Sequence, residues 1–157
     1  MAEKFTFFWS GVFSQWHPST FVIDGVTYNC TEQYMMAEKA RLFGDTGTEA
    51  MIMATADPAM QKRFGRQVSN FDESVWNATA RDIVLKANIA KFSQNPGMEA
   101  YLMATVGTTL VEASPEDTIW GIGLRKTDPR AYNRATWRGT NWLGEVLNIT
   151  RDLLTKA

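Results

Sequence analysis

Residues 29–43, reading NCTEQYMMAEKARLF, constrain the fold more than any other stretch of the chain. They read as a helix. Asn29 or Thr31 can cap its start, Asn29 and Glu32 have capping-box spacing, and Gly44 stops it. At 100° per residue with Glu32 at 0°, Met35, Met36, Leu42 and Phe43 fall at about 300°, 40°, 280° and 20°, an apolar face centred near 0°. Lys39 falls at about 340°. Two ionisable residues therefore sit inside the stripe that should face the core, while Glu38 and Arg41 take the polar side. A buried charge is costly unless it is paired or used. Two readings stay open from the helix alone. Either Glu32 caps the helix and favours its dipole while Lys39 snorkels to solvent, or the two belong to a functional site.

The rest of the chain supplies the frame. Residues 5–9 are apolar and β-prone and are broken by Ser10-Gly11. Residues 14–19, SQWHPS, read as a loop crowded with aromatic and polar groups. Segments 20–23 and 26–28 flank Asp24-Gly25, a hairpin signal that leads directly into the opening helix. Short helices are expected at 49–54 and at 59–64, the latter capped by Asp57, opened by Pro58 and ended by Gly65. The longest helix should run over 73–93 behind an Asp72 cap, with Trp76, Ala80, Ile83, Ala87 and Ala90 as its stripe. Another helix follows at 97–104, a brief strand at 109–111 and a turn at Ser114-Pro115. Residues 121–140 lack periodicity and read as a long loop. Thr140 or Asn141 caps a last helix whose apolar face is Leu143, Val146, Leu147 and Leu154. The expected architecture is mainly α, a single domain over 1–157 with a small N-terminal β-hairpin and short strands.

Composition narrows the function. A net charge of −1 disfavours a dedicated nucleic-acid binder, while leaving room for a phosphorylated ligand held by local arginines. One cysteine and one histidine rule out an internal disulfide framework and give little support to a zinc site or a Ser-His triad. No cofactor and no metal are expected. The sequence shows no signal peptide and no 18-residue apolar run, so a cytoplasmic protein without a membrane partner is expected.

Ser114-Pro115-Glu116-Asp117-Thr118-Ile119-Trp120-Gly121-Ile122-Gly123 is the second informative stretch. Gly121 and Gly123 let backbone approach a ligand closely. Asp117 can accept from ribose hydroxyls or place a water, or it can simply organise a turn. Trp76 is a core anchor or a stacking wall for a base. Arg66, just past a helix end, can hold phosphate as a bidentate fork. Lys91 near the end of the long helix is most simply a favourable cation at a C-terminus. His17 suits a structural or ligand-edge role.

Together these stretches resemble the NADAR superfamily of YbiA-like proteins. The likeness rests on residues 13–19, 22–25, Thr31-Glu32-Gln33-Tyr34 with Ala37 and Lys39, Gly65-Arg66, Trp76 and Lys91-Phe92-Ser93-Gln94. It continues through residues 102–105, 110–112, Asp117, residues 120–123 and Asn141 with Leu143-Gly144. The resemblance implies a mostly helical fold and N-glycosidase chemistry on ribosylated compounds. These are either phosphoribosylamino-pyrimidine intermediates of riboflavin biosynthesis or ADP-ribosyl-guanine, as the guanosine or carried in nucleic acid. It implies that Glu32, Trp76 and Asp117 are active-site residues, with Ser14, Trp16, Arg66, Trp120, Gly121 and Gly123 contacting substrate. Glu32 is then expected as general acid/base, with Lys39 as a Schiff-base nucleophile or as the ion-pair partner that keeps Glu32 charged. Arg125, Lys126, Arg130, Arg134 and Arg138 make a diphosphate-bearing ligand plausible. The rival readings are a non-catalytic ADP-ribose or nucleotide sensor on the same scaffold and a nucleic-acid module using the arginine loop.

Overall fold

The computed structural model describes residues 2–157, which form two compact units, one of residues up to Ser14 with Pro96–Ala157 and one of Gln15–Asn95.

The Gln15–Asn95 unit is helical. Strands β1 (Phe5–Phe8), β2 (Phe21–Ile23) and β3 (Val26–Tyr28) come first in the chain, and β2 and β3 form the predicted antiparallel hairpin here. Asp24 and Gly25 both take positive φ, 52° and 79°, as a two-residue turn between twisted strands demands. Helix α1 (Thr31–Leu42) follows and packs against α2 (Thr46–Met53), α3 (Pro58–Gly65) and α4 (Glu73–Ser93). Every residue of α1 from Thr31 to Ala37 is buried, so the helix is enclosed all round at its start rather than amphipathic. Tyr28 sets its ring edge-on to Tyr34 at 4.9 Å, seating the hairpin on α1. Gly65 ends α3 where a Cβ would lie 2.0 Å from Met36 Sδ, so the close approach of α3 to α1 uses its missing side chain. At the other end of α4, the Gln94 amide bonds the Val22 N–H and C=O at 2.8 and 2.9 Å, completing the edge of β2.

The expected caps of α1 are corrected. Its N-cap is Cys30, with no side-chain cap bond. Asn29 instead spends its amide on Ala56 O and on the fully buried Gln61. Gln33, not Glu32, reaches back to the Asn29 N–H at 2.9 Å. Helix α2 begins three residues earlier than expected, because Asp45 accepts from the Thr48 N–H and hydroxyl. On α4 the buried stripe carries Val84 and Lys91 where Ile83 was expected to lead; Ile83 is half-buried.

In the other unit β1 pairs in parallel with β4 (Thr109–Glu112), Phe5 opposite Thr109 through Phe8 opposite Glu112. The sheet content is thus two separate pairs rather than one N-terminal element. Helix α5 (Pro96–Met103) precedes β4, and α6 (Trp142–Thr155) packs on it. Asn141 sits before α6 at φ 55° and makes no cap bond; its side chain bonds the Glu112 N–H and the Leu110 C=O of β4. A Cβ on Gly144 would lie 2.2 Å from Leu110 O, so helix and strand touch through backbone. The 121–140 segment is ordered by two 3₁₀ turns, Pro129–Tyr132 and Arg134–Thr136. It contributes Ile122, Leu124 and Ala131 to a core with Val111, over which Phe5, Phe7 and Trp137 pack. No helix among the described residues is long and apolar enough to cross a membrane.

Candidate active site

In the Gln15–Asn95 unit, α1 brings the two anomalous ionisable residues to one place. Glu32 in its first turn is 4 % exposed. Its N–H donates to Gln15 O at 3.1 Å, and the Thr31 hydroxyl donates to the same carbonyl, which pins the 15–19 loop over the start of the helix. Lys39, in the third turn, does not snorkel. Its Nζ lies 4.6 Å from the centre of the Phe71 ring and 5.7 Å from that of Trp76. Burial pushes the Lys39 amine below its ordinary range; nearby Glu32 opposes the shift and the Arg66 guanidinium adds to it. Glu32, Lys39, Arg66 and Trp76 are therefore neighbours, held by three different helices.

Local sequence explains how the wall beside Lys39 forms. Asp72 caps α4 by accepting from the N–H groups of Ser74 and Val75. Phe71 precedes that cap and Trp76 is the fourth helical residue, the two positions of a hydrophobic staple. Phe71 also meets Phe43, at the end of α1, edge-on at 5.5 Å. Trp76 is buried while Phe71 is 45 % exposed, so the aromatic wall opens to solvent on one side. Trp16 follows the Gln15 carbonyl that binds Glu32, is half exposed, and carries the Lys62 ammonium 5.9 Å above its ring. Lys62 is one turn before Arg66, so α3 presents two cations in succession toward this region.

Phe71 and Lys62 were missed by the sequence reading, though the staple spacing around Asp72 could have found Phe71. The reading of Lys91 as simply a favourable cation at the helix C-terminus is corrected. It is fully buried, and burial pushes its amine down to about 7. The Cys30 thiol opposes that shift and is itself pushed up to about 11, chiefly by burial. His17 lies close enough to Lys91 to be lowered by its charge as well as by burial. The missed signal was the spacing 76, 80, 84, 87, 91, which continues the buried stripe into the lysine.

The other unit holds Ser14, Asp117, Trp120, Gly121 and Gly123. Ser14 closes a turn by donating its N–H to Gly11 O at 2.9 Å. Asp117 Oδ1 accepts from the N–H groups of Ile119, Trp120 and Gly121 at 2.9, 2.8 and 3.4 Å. The Asp117 carbonyl accepts from the Gly123 N–H, and Gly123 stands at φ +70°. A Cβ on Gly121 would lie 2.9 Å from both Asp117 O and Glu112 O. Both glycines are thus required by the turn that wraps Asp117. Trp120 packs edge-on against Trp142 at 5.6 Å. Of the loop cations, Arg130 is paired with Asp128 and Arg134 with Glu3. No group of three or more His, Cys, Asp or Glu able to hold a metal ion occurs among the described residues.

Comparison with known proteins agrees with the resemblance. The model of the NADAR domain matches residues 7–155 and so runs through both units. An N-glycosidase of Acanthamoeba polyphaga mimivirus is 42 % identical over 146 residues, covering 90 % of this chain and 86 % of its own. Protein irg-1 of Caenorhabditis elegans is 40 % identical over 159 residues, covering 91 % and 75 %. The NMR structure of the Escherichia coli protein YbiA matches with a TM-score of 0.81 at 28 % identity, covering 99 % of this chain and 88 % of that one. The chain belongs to the NADAR family.

Proposed function

We propose that this protein is a hydrolase that cleaves the C1′–N bond of a phosphorylated N-riboside. The observation that carries this reading is the Lys39 amine, lowered by burial, facing Phe71 and Trp76 with buried Glu32 as neighbour. Names of relatives support the reaction class, since the mimivirus protein and YbiA are both called N-glycosidases.

The chemistry suits a nitrogen that keeps its lone pair, such as an exocyclic amine on guanine or on a pyrimidine. Glu32 protonates the ring oxygen while that lone pair opens the furanose to an iminium at C1′. The neutral amine of Lys39 adds to C1′, and the resulting Glu32 carboxylate takes the proton released from Nζ. Glu32 then delivers this proton to the departing nitrogen as the C1′–N bond breaks. The base leaves as an amine, and the sugar stays on Lys39 as a Schiff base. Water adds to the imine carbon and splits it to the open-chain sugar and free Lys39. The sum is one N-glycoside and one water giving one amine and one sugar. Trp76 and Phe71 flank the base, and Arg66 holds phosphate through its fork of donors.

The substrate is either ADP-ribosyl-guanine or a phosphoribosylamino-pyrimidine. Separate incubations with ADP-ribosylated guanosine and with the pyrimidine intermediate, followed by mass spectrometry, decide between them. Release of guanosine with ADP-ribose selects the first, and release of the pyrimidine with ribose phosphate the second. A bound ligand that stays intact in both mixtures overturns the hydrolase and leaves a sensor.

A further inference from the structure

Side chains on β1 alternate, and Phe8 points to the interior while Phe5, Phe7 and the following Trp9 share the opposite face. The 124–140 segment lies along that face. Trp137 packs on Phe5 at 5.7 Å, Tyr132 stands edge-on to Phe7 at 5.1 Å, and the Arg125 guanidinium lies 5.8 Å over Trp9. Arg134 in turn covers Trp137 at 5.1 Å. Arginines and rings thus alternate along a ribbon whose length, from Phe5 to Trp9, is about 13 Å at strand rise.

Trp9 and Tyr132 at its surface are 48 % and 63 % exposed. They are nonetheless on a rigid base, because Ala131 and Leu124 are buried and Trp137 Nε1 donates to Ala131 O at 2.7 Å. The 124–140 segment holds five basic side chains against one acidic, in a chain whose net charge is −1. Arg130 and Arg134 are neutralised by Asp128 and Glu3, whereas Arg125, Lys126 and Arg138 carry no ion pair among the described residues.

We propose that this ribbon is a docking surface for single-stranded nucleic acid, with unstacked bases on Trp9 and Tyr132 and phosphates on Arg125, Lys126 and Arg138. Stacking rings set between cations are what a single strand needs, since every base offers a face to an aromatic side chain. A duplex keeps its bases stacked on each other and offers this surface only phosphates. An acidic peptide engages the cations and leaves both exposed rings idle. The proposal uses none of the residues given roles in the hydrolytic chemistry above, and the following test uses strands without any modified base, so its failure leaves that chemistry untouched.

Fluorescence anisotropy of the full chain with a labelled twelve-residue oligothymidylate, titrated between low and moderate salt, measures the interaction. Three phosphate contacts give a log Kd against log salt slope of about 2 in magnitude. Trp9→Ala and Tyr132→Ala each weaken binding by about tenfold. The double variant Arg125→Glu with Lys126→Glu weakens it further and flattens the salt slope. All of these variants sit on exposed side chains and keep the thermal transition of the parent. The proposal is overturned by a slope near zero, by variants that bind like the parent, or by equal affinity for a duplex or for polyglutamate.

Discussion

Lys39 is the residue on which the proposed chemistry turns. An amine in an apolar setting that carries the nucleophilic step should give an observed rate that rises with pH, because only its neutral form attacks. The lowered Lys39 amine places that rise below the ordinary lysine value of 10.5. Lys39→Arg, which stays charged, abolishes the rise and the turnover. Borohydride reduction during turnover should leave a sugar adduct on the parent and none on Lys39→Arg; an adduct on the variant removes the Schiff base from the mechanism. Glu32→Gln keeps shape and fold and loses about 10²–10⁴ in turnover, the usual worth of a placed acid/base. Lys91 makes a separate prediction about stability. Its folded amine titrates at about 7, well below the unfolded value near 10.5, so above pH 7 the unfolded chain binds more protons than the native one. Stability should therefore rise with pH from about 7, with a slope of up to about 1.4 kcal/mol per unit from this group. The Cys30 thiol, at about 11 in the fold against an ordinary 9.0, contributes the opposite slope above about pH 9 and so flattens the rise there. Denaturant titrations of the parent and Lys91→Met from pH 6 to 9 check this; the variant should lose the slope. The anomaly of Lys39 was legible in the helical wheel, whereas the buried-stripe spacing that ends at Lys91 was passed over, because a lysine two residues before a helix end normally reaches water.

Elements here are joined by backbone contact as much as by side chains. Helix α6 rests on β4 at Gly144, and Asn141 closes the junction by bonding one N–H and one C=O of that strand. Gly144→Ala would set a methyl 2.2 Å from the Leu110 carbonyl, an atom that cannot swing aside as a side chain can. It should cost about 3 kcal/mol, the upper end for overpacking a filled site, measurable as a lower denaturant midpoint with an unchanged slope. Helix α4 was legible to its ends, 73–93, because Asp72 caps it and Ser93 precedes the turn at Asn95-Pro96. The start of α1 was not. Its caps were misassigned because Asn29 serves Ala56 and Gln61, partners about thirty residues away that no local pattern reveals.

At the scale of the whole molecule, the family model spans residues 7–155, across the two compact units. Ligand binding should register as stability of the chain. If ADP-ribose is the released sugar, a hundred times its Kd adds about 2.7 kcal/mol and raises Tm by roughly 5–10 °C; no shift selects the pyrimidine substrate. Arg66→Ala, on an exposed side chain, should shrink that gain without moving the ligand-free Tm; an undiminished gain removes Arg66 from the phosphate site. Local pattern was enough for the helices, the Asp24-Gly25 hairpin and the Glu32–Lys39 anomaly, because periodicity, caps and turn residues act within a few positions of each other. It also carried the family likeness through the order of its motifs. Beyond the reach of local pattern were the pairing of β1 with β4 a hundred residues on and the placing of Phe71 and Trp76 as walls around Lys39. Those outcomes depend on which surfaces exclude water together, and that is settled by packing between distant segments.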